Sequence, residues 1–464
     1  MGCNGSLLKW RVKFLDEMVD KRAIKLLPTQ ILVLGFASMI LIGALLLTLP
    51  VASSTGKSMG FLNALFEATS AVCVTGLVVV ETADDLSIFG QLVIITLIQM
   101  GGLGFMTMAT MVFLLMGKRI TLRERLIMQE ALNEFKLEGV VRLTRSIIGI
   151  TFLIEGIGAL ILAMRFVPAY GWSKGLYFSA FHAISAFCNA GFDLMGEYRS
   201  LMGFTDDFIV NLTIMGLIVC GGLGFSVLLD IYRNRHFRKW SLHTKLVVSV
   251  TAALIAVGAL FFFIVEFNNP ATLGSQNWKG RILGALFQSV TARTAGFYTI
   301  DQASLTDASK FMTTILMFIG ASPAGTGGGV KTTTASVILL AVLSVIRGKR
   351  DVEVFGRRIS YTIINRALAI AAITFTLLVG ITMVLSLLEP YTLVDVLFET
   401  ASALGTVGLA TFDNSDLNDI SKIFIIMSMF AGRVGPLTLT LAFAKRMAGD
   451  KGNVKYPEGK VMVG

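Results

Sequence analysis

The chain of 464 residues is 54% hydrophobic and only 15% charged, where soluble domains carry roughly 25% charge. That balance excludes a soluble enzyme or a sizeable soluble domain and leaves an integral membrane protein. The formal net charge of +10 implies no nucleic acid, because its cations fall in short loops between apolar segments.

Residues 1–27 carry Lys9, Arg11, Lys13, Lys21, Arg22 and Lys25 and no apolar h-region, so a cytoplasmic segment without a cleaved signal peptide is expected. Residues 31–49 then run without a charge, close to the ~20 apolar residues that span a bilayer as a helix. They open the first of four repeats: a membrane helix (M1), a short apolar helix too brief to cross, a glycine loop, and a second membrane helix (M2). Expected M1 helices lie at roughly 28–50, 140–167, 243–267 and 361–388, and M2 helices at roughly 86–117, 206–232, 306–346 and 420–446. The repeats divide the chain into 28–120, 121–240, 241–350 and 351–447, with 448–464 as a C-terminal tail. The expected fold is an all-α membrane protein. Eight transmembrane helices and four re-entrant pore helices would surround one pseudo-four-fold pore.

The repeat is explicit in the short helix and loop: FEATSAVCVTGL (66–77), FHAISAFCNAGF (181–192), FQSVTARTAGF (287–297) and FETASALGTVGL (398–409). Aligned on the phenylalanine, a polar residue follows (Glu67, His182, Gln288, Glu399), then a hydroxyl (Ser70, Ser185, Thr291, Ser402) and an alanine. Each copy closes on a glycine (Gly76, Gly191, Gly296, Gly408). Non-helical backbone at membrane depth is tolerated only where protein buries it or where it lines a watery cavity. Four facing glycine loops can turn carbonyl oxygens inward to replace the water shell of a cation. The candidate filter is therefore Val74, Thr75 and Gly76; Asn189, Ala190 and Gly191; Thr294, Ala295 and Gly296; Thr406, Val407 and Gly408. Oxygen ligands without a carboxylate suit a monovalent ion better than calcium or magnesium. The polar column Glu67, His182, Gln288 and Glu399 is expected to hydrogen-bond behind the filter. Arg293, in the third loop, should point away from the ion path toward an acidic partner.

Each M2 breaks at a matching place: GGLGF at 101–105 and 221–225, and AGRVGP at 431–436. The third break is longer and covers Gly320, Ala321, Ser322, Pro323, Ala324, Gly325, Thr326, Gly327, Gly328, Gly329 and Lys331. Such a run cannot be a stable helix interior, and its distance from Gly296 sets it mid-membrane beneath the filter, so it reads as a gating loop. GTGGGVKT (325–332) nearly fits a nucleotide P-loop, but Val330 replaces the second glycine and no strand precedes it, so that reading fails. Arg433 is a charge at pore depth, able to neutralise a pore-helix glutamate or to weaken cation binding in the cavity. Glu155, alone in the second M1, is expected to pair within the bundle.

Cations follow the first three M2 helices: Lys118 to Arg125, Arg233 to Lys239, and Arg347 to Arg358. By the positive-inside rule these loops and both termini face the cytoplasm. The opposite loops carry Glu81, Asp84, Asp85, Asp193, Glu197, Asp301, Asp307, Asp413, Asp416 and Asp419, an acidic mouth that would concentrate cations.

The four repeats, imperfect filters and glycine-rich third M2 resemble the Trk/Ktr/HKT superfamily of potassium transporters over nearly the whole chain, and a Ktr-type membrane subunit most. The resemblance implies potassium uptake across the cell membrane, with filter glycines favouring potassium, and leaves sodium dependence open. It implies 320–331 as the intramembrane gate and Arg433 as the family's basic residue in the last M2. It also implies a homodimer in the lipid bilayer on a cytoplasmic ring of nucleotide-binding regulatory subunits. No cofactor is expected in this chain. Two alternatives remain. The ion-conducting subunit of a potassium-pumping ATPase complex would be longer. A membrane-embedded enzyme would need paired acids, a metal cluster or an activated nucleophile, none of which is visible.

Overall fold

The computed structural model describes residues 28–104, 107, 140–436, 438 and 439. The expected N-terminal segment, the end of the first M2 with the cations after it, and the C-terminal tail lie outside them. The described chain is mostly helical. Its first repeat contributes α1 (Pro28–Thr48), α2 (Phe61–Cys73) and α3 (Ile88–Leu103). The second contributes α4 (Val140–Tyr170), α5 (Trp172–Cys188), α6 (Phe208–Leu223) and α7 (Phe225–Arg233). The third has α8 (Leu242–Val265), α9 (Trp278–Thr291), α10 (Asp307–Phe318) and α11 (Thr332–Ile346). The fourth has α12 (Tyr361–Leu388), α13 (Leu393–Gly405) and α14 (Asp419–Val434). An antiparallel hairpin, β1 (Val352–Val354) with β2 (Arg357–Ile359), joins the last two repeats and corrects the all-α expectation.

Helices α1, α4, α8 and α12 are each long and apolar enough to cross a membrane. The helix at the start of each M2 begins on a capping side chain, from Ser87, Asp207, Thr306 or Asn418, which accepts a first-turn N–H. Three of them stop at Gly104, Gly224 and Gly435, each with φ between +81° and +93°. The second M2 is thus not one rod: α6 and α7 meet at 98°.

The break glycines also serve packing. A Cβ on Gly101, Gly221 or Gly432 would strike the carbonyl oxygen of Val72, Phe187 or Leu404, which are equivalent positions in the last turns of α2, α5 and α13. Glycine lets α3, α6 and α14 lie directly on the ends of α2, α5 and α13. Between repeats the order is cyclic: α3 packs on α5, α6 on α9, α10 on α13, and α14 back on α2. Polar clamps accompany three of these seams. Tyr177 donates to Gln91 at 3.0 Å, Lys310 pairs with Asp395 at 2.8 Å, and Lys422 reaches Asn63 at 3.4 Å. The chain therefore closes into a ring of four units, with the buried phenylalanines Phe66, Phe181, Phe287 and Phe398 at equivalent sites.

Candidate functional site

Helices α2, α5, α9 and α13 converge on the ring axis and end in one shared backbone form. The residue two before each glycine has positive φ (Val74 +58°, Asn189 +60°, Thr294 +64°, Thr406 +50°), and so has the glycine (+94°, +74°, +84°, +92°). A side chain would be strained at these glycines, and the neighbours leave it no room. A Cβ on Gly76 would meet the Ala190 oxygen, one on Gly191 the Ala295 oxygen, one on Gly296 the Val407 oxygen, and one on Gly408 the Thr75 oxygen. Each glycine thus abuts the carbonyl preceding the next glycine, and the fourth returns to the first. The structure brings together all four candidate loops in a closed ring.

The hydroxyl column braces the ring. Ser70 and Ser402 accept the N–H of Gly76 and Gly408, each at 3.0 Å. Ser185 donates to the Phe192 carbonyl at 2.7 Å, and Thr291 to that of Phe297. Sequence reasoning aligned these residues but gave them no role; their fixed place four residues past the phenylalanine was the available signal. The polar column lies further back. Glu67 accepts from Val79 and Val80, at 2.7 and 3.1 Å, and His182 Nε2 from Leu194 at 3.4 Å. Gln288 exchanges hydrogen bonds with Gln302. Glu399 faces Asn414, its carboxyl oxygens without a close donor among the described residues.

Above the ring is a cavity of about 270 Å³, lined by the four glycines and by one acid from each repeat: Glu81, Asp193, Asp301 and Asp413. Other mouth acids lie in loops and first helical turns. Asp84 accepts from Glu197, Asp85 from Glu81, and Asp307 and Asp419 sit in first helical turns. Burial pushes the Glu81 carboxyl up to about 7, with Asp193 beside it adding to the shift, and pushes Asp193 up to about 6.

Below the ring a second cavity of about 280 Å³ is lined by residues of the 320–331 loop, Lys331, Arg366 and Arg433. The two cavities share no lining residue. The loop between them is tied down in several directions. Thr326 donates its hydroxyl to Asn189 Oδ1 at 2.8 Å and to the Phe187 carbonyl at 3.2 Å, and its N–H to Gly221 at 3.2 Å. Ser322 donates its N–H to Gly222, and Ala324 accepts from Phe225. Gly327 and Gly328 press on the hydroxyls of Thr294 and Thr406, where a Cβ would collide. Those two hydroxyls are fully buried and have no hydrogen-bond partner among the described residues.

Arg433 does not pair with a pore-helix glutamate. Its guanidinium donates to the carbonyls of Thr326 and Gly101, with a longer contact of 3.4 Å to Gly102. Lys331 donates to Gly327 at 2.6 Å. Arg293 turns away from the ring, yet the expected acidic partner is missing among the described residues; its contact is Thr251 at 3.5 Å. Glu155 receives Gln99 at 3.3 Å, with Cys188 close by.

The family described as TrkH, cation transport protein, matches residues 27–455. The chain is 45% identical to the Ktr system potassium uptake protein B of Bacillus subtilis (strain 168), over 95% of this chain and 98% of that one. It is 41% identical to the potassium/sodium uptake protein NtpJ of Enterococcus hirae over the same shares. The crystal structure of the potassium transporter TrkH from Vibrio parahaemolyticus superposes with a TM-score of 0.71 at 18% identity, over 91% of this chain and 86% of that one. That likeness concerns the fold.

Replacing Ser402 by alanine leaves the Gly408 N–H buried without its acceptor, a loss of about 1–3 kcal/mol. The thermal midpoint of the purified protein in detergent should fall. An unchanged midpoint would show that the hydroxyl does not brace the ring.

Proposed function

Because the chain belongs to the TrkH family of cation transport proteins, we propose that it takes up potassium through the glycine ring, with carbonyl oxygens of the four loops replacing the water of the ion. One observation carries this reading: the cyclic contact of Gly76, Gly191, Gly296 and Gly408 with one another's neighbouring carbonyls. The named relatives, a potassium uptake protein and a potassium/sodium uptake protein, support the choice of ion and keep sodium as a second cargo or co-ion. They are transporters, which removes the reading as a membrane enzyme.

In this proposal the eight-helix, four-pore-helix arrangement spans the cell membrane with both termini in the cytoplasm. Ions enter at the acidic cavity and move down the membrane potential, worth about 2.3 kcal/mol per charge at 100 mV. The 320–331 loop is the gate. It lies across the inner end of the ring, with Thr326 latched to the second repeat by its hydroxyl and to Arg433 by its carbonyl. Arg433 contributes a positive charge to the inner cavity while it holds the loop. The word system in the name of one relative supports a partner subunit; in this proposal that partner is a cytoplasmic nucleotide-binding ring that releases the latch, and the transporter works as a homodimer.

Rubidium and sodium flux into liposomes holding the purified chain tests the function. Potassium-competed rubidium entry is expected, and no flux of either ion under an imposed potential would refute it. Gly76→Ser introduces a Cβ at φ +94° against the Ala190 carbonyl. A loss of about 1.4 kcal/mol in discrimination would lower the potassium-over-sodium ratio about tenfold, and an unchanged ratio would remove Gly76 from the filter. Deleting 325–329 should raise flux in the absence of any regulatory partner, and shortened loops with parental flux and regulation would refute the gate. Carboxylates are charged above their pKa and neutral below it, so the mouth loses charge as outside pH falls through about 7 and then about 6. Uptake at limiting potassium should drop through that window and be blunted in Glu81→Gln; a flat profile contradicts an acidic mouth.

A further inference from the structure

Two basic loops distant in sequence meet on one face of the molecule. The first follows α7 and exposes Arg235, Arg238 and Lys239; the second follows α11 and exposes Arg347, Arg350 and Arg357. None of these six belongs to an ion pair among the described residues, whereas Arg358 is held by Asp351 at 2.9 Å and Lys349 lies 4.0 Å from Glu353. Asp230, the acid before the first loop, is already occupied by Ser241, Thr244 and Asn234.

Aromatic packing holds the loops together. Phe355, at the tip of the β1–β2 hairpin, meets Phe237 edge-on with ring centroids 6.0 Å apart. Phe237 packs on Trp240 at 5.2 Å and carries Lys245 over its face at 5.7 Å. Two loops that each carry unpaired cations are thereby held in contact, which favours an anion over them. The adjoining surface decides what kind. Val345 and Ile346, 77% and 74% exposed in the last turn of α11, run straight into Arg347, and exposed Tyr361 donates its hydroxyl to the Arg350 carbonyl. Aliphatic side chains ending in cations and tyrosine match the boundary between acyl chains and headgroups. A water-soluble acidic protein would match the cations but not Val345 and Ile346.

We propose that this patch binds the headgroups of anionic phospholipids. On the orientation proposed above these lie in the cytoplasmic leaflet; the binding itself rests on neither that orientation nor the filter. The site is joined to the gate. Val352 and Ile359 of the hairpin share a buried cluster with Val337 of α11 and with Ile364 and Ala367 of α12. Helix α11 begins at Thr332, next to the last loop residue, Lys331. A lipid held at the hairpin steadies α11 and so the base of the loop.

The test uses the full chain in phosphatidylcholine nanodiscs containing a minor share of phosphatidylglycerol. Lipid retained after transfer to detergent is read by native mass spectrometry, and amide exchange in α11 is read in the nanodiscs. The parent protein should retain phosphatidylglycerol preferentially and exchange more slowly in α11 when it is present. Arg235→Gln, Arg238→Gln and Arg357→Gln together should lose that preference, by about fivefold per cation removed. Exposed Lys57→Gln should not, and Arg357→Gln alone gives an intermediate value if the triple variant folds poorly. Equal retention by parent and triple variant would overturn the proposal. So would a triple variant that keeps the lipid but loses a cytoplasmic protein partner.

Discussion

The rest of the structure depends on the demand that four backbone segments without regular structure lie against one another in the middle of a membrane protein. Backbone polar groups there have no bulk water to turn to. The ring answers with glycine at the four points of closest approach, each at positive φ and each on the carbonyl preceding the next glycine. Around it stand the braces: Ser70 and Ser402 on the glycine N–H groups, Ser185 and Thr291 on the carbonyls beyond. The M2 glycines extend the same logic outward by letting those helices rest on pore-helix carbonyls.

The loop beneath the ring poses the opposite problem. It is irregular along its length, yet held at several points. Its glycines allow contact with Thr294 and Thr406, while Thr326, Ser322 and Ala324 tie it to the broken second M2. The bend between α6 and α7 is what presents those partners, so the break in one repeat supplies the seat for the loop of the next. Arg433 finds its place by the same means, since donation to main-chain carbonyls satisfies a buried guanidinium without a carboxylate.

Much of this was legible in residues 66–77 and their three counterparts, because the repeat aligns the phenylalanine, the hydroxyl and the glycine. Apolar length marked α1, α4, α8 and α12. What stayed hidden depends on contacts between repeats. Nothing local to Arg293 says that it ends at Thr251 rather than at an acid. The meeting of Phe237 with Phe355 likewise joins loops more than a hundred residues apart. The β1–β2 hairpin escaped because three-residue strands inside a basic loop carry too little alternation to read. Of the mouth acids, composition showed the sign; only packing separates the four that line the cavity from those in the surrounding loops and first helical turns.

The most direct measurement is anomalous diffraction from crystals of the protein grown in rubidium or thallium in place of potassium. A carbonyl-lined filter should give a peak on the axis of the ring, within contact distance of the carbonyl oxygens of Thr75, Ala190, Ala295 and Val407. Peaks confined to the acidic cavity or elsewhere, with none on that axis, would contradict it.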